Sequence, residues 1–218
     1  MSDIFELFRK ISKPSEPPAP PEFLLVGLGN PGKDYATTRH NAGFIAVDCI
    51  CHQKNIECTR LKFHSLVGDV MIGEHRVLLM MPQTMMNASG IAVRDAADFY
   101  KIPPEKIIVI SDDINAEPGQ MRIRRSGTDG GQKGLRSIIE QLGADTFPRI
   151  KIGVGQKPSK DYDLAAWVLG KITQETFEIM RPCFEACLPA AQLIMDGDIE
   201  TAMGKYNGMG RKKEPSDQ

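Results

Sequence analysis

The sequence predicts a single-domain α/β sandwich with a mixed, mostly parallel central sheet flanked by helices. Three observations support this. From Phe23 onward, apolar runs of strand length alternate with segments of helical period. Two of the strand-like runs are separated only by a turn around Gly73-Glu74, which demands a hairpin and so at least one antiparallel pair. At 218 residues, with 41% hydrophobic and 25% charged side chains, the chain has the length and composition of one soluble domain with a substantial core.

Phe23–Gly27 reads as a buried strand and Gly43–Gln53 as a helix. Ser65–Met71 and Arg76–Met81 form the predicted hairpin, followed by a helix over Ala88–Tyr100. Lys106–Ser111 and Gln120–Arg124 are further strands, Gly134–Leu142 a helix and Arg149–Val154 a strand. The last third is mostly helical: Phe177, Met180, Phe184, Cys187, Ala191 and Ile194 recur every three or four residues, the spacing of a core stripe. Pro182 and Pro189 are expected to start, kink or divide that helix. Residues 1–22 are expected to form a separate N-terminal arm. Its apolar residues Ile4, Phe5, Leu7, Phe8 and Ile11 suit one face of a short helix, and Pro14 to Pro21 form a stiff linker. The domain is expected over 23–207, and 208–218 as a disordered polar tail.

Composition excludes several function classes. No apolar run approaches the ~20 residues of a membrane helix. The five cysteines are odd in number and form no Cys-x-x-Cys, so reduced thiols in a cytoplasmic protein are expected. Only four histidines occur, none in a metal-ligand spacing, and no metal is expected. The net charge of -1 conceals an asymmetry. Between Pro118 and Lys160 nine basic residues oppose three acidic ones, a local +6 that leaves -7 for the rest. Such segregation suits a local polyanion site better than general adhesion to nucleic acid, although a charge run can also be a solvated surface.

Gly27-x-Gly29-x-x-Gly32 after a strand formally matches the dinucleotide fingerprint. The following residues, Lys33 to Arg39, are polar and aperiodic where that fingerprint needs a helix, so no nucleotide cofactor is expected. The glycines instead suit a sharp turn presenting Asn30. Thr38-Arg39-His40-Asn41-Ala42-Gly43 places a histidine among polar side chains in a loop, a candidate general base. Asn87 precedes a helix and is either its N-cap or an amide presented to a ligand. Asp112 and Asp113 follow the apolar strand Ile107–Ile110, where α/β sheets place their ligands, or else begin a solvated turn. The loop Gly127–Gly134 runs into a helix, and either offers backbone N–H groups and Lys133 to an anion or simply connects.

Taken together, five pieces in order and spacing resemble the bacterial-type peptidyl-tRNA hydrolases across Phe23 to Asn207. These are Gly-Leu-Gly-Asn-Pro-Gly (27–32), Thr-Arg-His-Asn-Ala-Gly (38–43), Pro-x-Thr-x-Met-Asn-x-Ser-Gly (82–90), the strand with Asp112-Asp113, and Gly-Gly-x-x-Gly-Leu (130–135). The resemblance implies metal-free, cofactor-free hydrolysis of the ester joining a peptide to the 3′-terminal ribose of tRNA, by a monomer. It implies His40 as general base, Asp112 as its orienting carboxylate, and Asn30 and Asn87 as amides holding substrate and water. It also implies Tyr35, Asn41, Met86, Gln132 and Lys133 at the substrate, with Arg124 and Lys151 on tRNA phosphates. The alternative is a homologue of the same fold that binds RNA, as in splicing, without catalysis. Where the family usually has Gly-Gly-His-Asn-Gly, this chain reads Gly130-Gly131-Gln132-Lys133-Gly134, and Ser111 stands where many members carry histidine. Lys133 can only donate, whereas the family's asparagine both donates and accepts.

Overall fold

The computed structural model describes residues 19–210. Helix formation by the arm and the end of the tail lie outside the described residues. One seven-stranded sheet runs in the order β2-β3-β4-β1-β5-β7-β6. Its strands are β1 (Phe23–Gly27), β2 (Arg60–Lys62), β3 (Ser65–Ile72), β4 (His75–Pro82), β5 (Ile107–Asp113), β6 (Met121–Arg124) and β7 (Arg149–Gly153). The four central strands β4, β1, β5 and β7 are parallel, while β2, β3 and β6 pair antiparallel at the two edges. The hairpin of β3 and β4 is the antiparallel pair that Gly73-Glu74 predicted.

Helices cover both faces, which is why β1 and the stretches Val77–Met81 of β4 and Ile107–Ile110 of β5 read as apolar runs. Residues of β1 alternate between two cores: Phe23 and Leu25 face one, Leu24 and Val26 the other. The first core lies under α1 (Ala42–Lys54), α5 (Gln174–Met195) and α6 (Ile199–Tyr206). The second lies under α2 (Ser89–Tyr100) and α3 (Lys133–Leu142). A short helix, α4 (Leu164–Val168), stands between β7 and α5.

Pro182 and Pro189 both lie inside α5, which runs unbroken over 22 residues. A proline inside a helix removes a hydrogen bond and crowds the preceding turn. Burial of Met180, Cys183, Phe184, Cys187, Ala190 and Ala191 along one stripe outweighs that cost. At the amino end, the Glu22 N–H donates to Arg76 O. At the other end, Met209 packs against the first core.

β6 and β7 alternate too. Met121, Ile123, Ile150 and Ile152 enter the first core, so Arg122, Arg124, Arg149 and Lys151 emerge together on the α3 side. Much of the basic segment is nevertheless committed within the fold. Arg149 is 2% exposed and donates to the carbonyls of Thr128 and Asp145. Lys157 donates to the carbonyls of Lys160 and Tyr162. Arg136 bonds Asp129 and, with the Gly131 N–H, holds that carboxyl below its ordinary range.

Candidate active site

The loops at the carboxyl ends of β1 and β5 converge with the N-terminal ends of α1, α2 and α3 on one cavity of about 460 Å³. Small residues bring these parts together. A Cβ on Gly27 would lie 2.3 Å from Gly43 O, and one on Gly29 would lie 2.6 Å from the Phe44 ring. The glycines of the apparent fingerprint therefore seat the loop directly on the first turn of α1. Asn41 locks it there: its Oδ1 accepts from Asn30 N–H at 2.9 Å and its Nδ2 donates to Asn30 O at 3.0 Å. Asn30 in turn uses its own Oδ1 to accept from Met86 N–H at 2.8 Å, bridging to the turn that presents Asn87.

His40 sits in the single 3₁₀ turn Arg39–Asn41 ahead of α1. Its Nδ1 lies 3.0 Å from Asp112 Oδ2 and 3.1 Å from Oδ1. An ionised carboxylate only accepts, so in the neutral imidazole facing it Nδ1 carries the proton and Nε2 the lone pair. The choice between the two adjacent carboxylates follows from strand alternation. Ile108 and Ile110 face the core beneath α1, and Asp112 continues that face toward His40. Asp113 points the opposite way, with Oδ2 3.3 Å from Lys151 Nζ and 3.7 Å from Arg122 Nη1.

The glycine loop supplies the opposite wall. Gln132 is the N-cap of α3: its Oε1 accepts from Leu135 N–H at 2.8 Å, and its Nε2 donates to Asp112 Oδ1 at 3.0 Å. Lys133 follows it, exposed and lining the cavity. Leu164, Val168 and Leu169, with Ile114 and Met85, give the cavity an apolar side. That side is tied to the histidine turn. The Arg39 guanidinium stacks 3.7 Å from the centroid of Trp167, and its Nη1 donates to Trp167 O at 3.4 Å.

The cavity thus brings together Asn30, His40, Met86, Asn87, Asp112, Gln132, Lys133 and Lys151 among the expected site residues. Tyr35, Asn41 and Arg124 are not in its lining. Tyr35 is half-buried in the preceding loop, where its carbonyl accepts from Thr38. Asn41 is spent on Asn30, and Arg124 stands exposed on the edge strand β6. Asn87 is not the N-cap of α2; Ala88 holds that position without a side-chain bond, leaving the Asn87 amide exposed at the cavity. The reading of residues in isolation passed over the α4 wall. Its one signal was Asp163 before an apolar run, and Asp163 does cap α4 by accepting from Ala165 and Ala166 N–H. Among the described residues, no group of three or more His, Cys, Asp or Glu is placed to hold a metal ion. Nor is any helix among them long and apolar enough to cross a membrane.

A family model described as Peptidyl-tRNA hydrolase matches residues 24–216. The peptidyl-tRNA hydrolase of Clostridium novyi is 48% identical over 186 residues, covering 85% of this chain and 98% of that protein. That of Caldanaerobacter subterraneus is 46% identical over 186 residues, covering 85% of this chain and all of the relative. The crystal structure of peptidyl-tRNA hydrolase from Acinetobacter baumannii superposes with a TM-score of 0.80 at 37% identity, over 86% of this chain and 95% of that one. By sequence over most of its length, and by fold, the chain belongs to the peptidyl-tRNA hydrolase family.

Proposed function

We propose that this chain hydrolyses the ester between a peptide and the 3′-terminal ribose of tRNA, with His40 as general base. The observation that carries the reading is the pairing of His40 Nδ1 with Asp112 at 3.0 Å, in a histidine that lines the cavity. Family membership supports the same reaction. Nε2 takes a proton from water as the oxygen attacks the ester carbonyl. Asp112 stabilises the imidazolium that forms, and the ring then returns the proton to the departing ribose oxygen. Asn30 and Asn87 offer amide groups to the substrate and the developing oxyanion. With Asn30 Oδ1 engaged by Met86 N–H, its contribution is as a donor through Nδ2.

The apolar side made by Leu164, Val168 and Leu169 suits the peptide. Lys133, at the start of α3, reaches an acceptor in the substrate, either a phosphate or a peptide carbonyl. Arg124 and Lys151 serve the tRNA phosphates, Arg124 with the freer charge. Tyr35 and Asn41 contribute through the loop that carries Asn30. The enzyme acts as a monomer in the cytoplasm, on peptidyl-tRNA, without a cofactor. The test is incubation of the purified protein with N-acetylaminoacyl-tRNA, following free tRNA and the released N-acetylamino acid. Catalytic release supports the reading; tRNA bound with its ester intact would favour the non-catalytic RNA-binding alternative.

A further inference from the structure

We propose that Gln132 is a positioning residue for the hydrolysis, its side-chain amide tying the N-terminus of α3 to Asp112 and so fixing the direction in which His40 presents Nε2. This rests on the reading of His40 as the base and Asp112 as its partner. Gln132 is 8% exposed, and both ends of its amide are used. The oxygen accepts from Leu135 N–H at 2.8 Å, and the nitrogen donates to Asp112 Oδ1 at 3.0 Å.

The geometry around Asp112 shows why a second donor matters. His40 Nδ1 stands 3.1 Å from one carboxylate oxygen and 3.0 Å from the other, so the imidazole alone does not select a rotation of the carboxylate. Gln132 engages Oδ1 only, and that asymmetry selects one. Asp112 is 3% exposed, so water cannot readily replace a lost donor. Gln132 Nε2 also lies 3.2 Å from Met86 Sδ, in the residue whose backbone N–H holds Asn30. One neutral amide therefore touches the Asp112 carboxylate on one side and, on the other, Met86, whose backbone N–H holds the Asn30 amide. Being neutral, it donates to Asp112 without adding a competing cation beside His40.

A plain helix cap would make the first of these bonds and not the second, and serine separates them. Ser caps helices well but is too short to reach Asp112. The experiment measures kcat, KM and thermal stability with N-acetylaminoacyl-tRNA for the parent, Gln132→Ser, His40→Ala and the double variant. Gln132→Ser should lower kcat about 10- to 100-fold, the usual worth of a hydrogen bond to a charged group. Its KM should stay within about twofold and its Tm within a few degrees, because the cap survives. In the His40→Ala background the same change should cost no further activity, since its effect passes through that ring.

Parent-like kcat in Gln132→Ser overturns the proposal, as does an equal further loss without His40. If Gln132→Ser fails to fold, Gln132→Glu decides. It keeps the reach and the cap acceptor but faces Asp112 with an oxygen, and should lower kcat at unchanged KM. Parent-like kcat in that variant overturns the proposal equally. Full activity of His40→Ala would instead sink the base assignment, whereas an inactive His40→Ala beside a normal Gln132→Ser retires the Gln132 role alone.

Discussion

Asp112→Asn removes a negative charge 3.0 Å from His40 Nδ1 while leaving the side-chain volume almost unchanged. In the proposed mechanism, the imidazolium formed on His40 during water attack then loses its counter-charge. At an effective dielectric of about 20, two unit charges at that separation attract by about 5.5 kcal/mol. This sets a ceiling of roughly 10⁴ on the rate loss, reached only if the whole term is realised in the transition state. An asparagine oxygen still accepts from Nδ1–H, so a loss of roughly 10²–10⁴ in kcat is expected, with KM little changed. Asp113→Asn should behave differently. Its side chain is 1% exposed and opposes Lys151 and Arg122, whose side chains are 18% and 34% exposed. Removing it leaves two partly buried cations facing each other. After discounting for their access to water, a stability loss of about 2 kcal/mol is expected. That corresponds to a Tm lower by roughly 4–8 °C in a chain of this size. Steady-state hydrolysis of N-acetylaminoacyl-tRNA, with a thermal melt of each variant, separates the two. A parent-like kcat in Asp112→Asn would refute the reasoning. So would a loss in Asp113→Asn that matches Asp112→Asn without any fall in Tm.

Arg124→Ala should raise KM and reduce the log–log salt slope of binding by about one, whereas Lys151→Ala, already paired with Asp113, should change the slope less; equal slopes for parent and Arg124→Ala would make Arg124 ordinary surface charge. Lys133→Ala should weaken substrate binding, and Lys133→Asn should recover much of the loss at low salt; identical KM and kcat for parent and Lys133→Ala would place that side chain in solvent. Gly90→Ala would put a Cβ 2.1 Å from Ser137 O and force α2 away from α3, so a loss of roughly 1–3 kcal/mol should appear in a thermal melt, and an unchanged Tm would contradict the close helix approach.

The fold was legible where physical signals were local and strong. β1 and the Ile107–Ile110 stretch of β5 are apolar runs because each side chain in turn meets one of two cores. The hairpin was announced by Gly73, which adopts a φ of 57°. β2, three residues with an exposed leucine, carries no apolar pattern, and only pairing with β3 makes it a strand. Pro182 and Pro189 misled because local propensity was set against a helix whose burial spans both sides of each ring. At the site, motif spacing brought His40, Asp112, Asn30 and Asn87 to one cavity. Asp112 rather than Asp113 was indicated only by the family motif; the physical reason, the face of β5 that α1 covers, is a tertiary fact. The basic segment was visible as charge, but its period-2 arrangement on β6 and β7 was the missed signal. Without tertiary contacts, nothing distinguished the buried Arg149 from the exposed Arg124. Asn41 and Gln132 were singled out by the family motif as substrate residues; that their amides also bond the loop backbone and the carboxylate around the cavity is a tertiary fact.

The central claim is that His40 activates water for ester hydrolysis in this cavity. The most direct measurement compares single-turnover release of free tRNA from N-acetylaminoacyl-tRNA by the parent and by His40→Ala, each confirmed as folded by its thermal melt. The parent should release tRNA to completion, and the variant roughly 10²–10⁴ more slowly. Release at the parent's rate by folded His40→Ala would contradict the account.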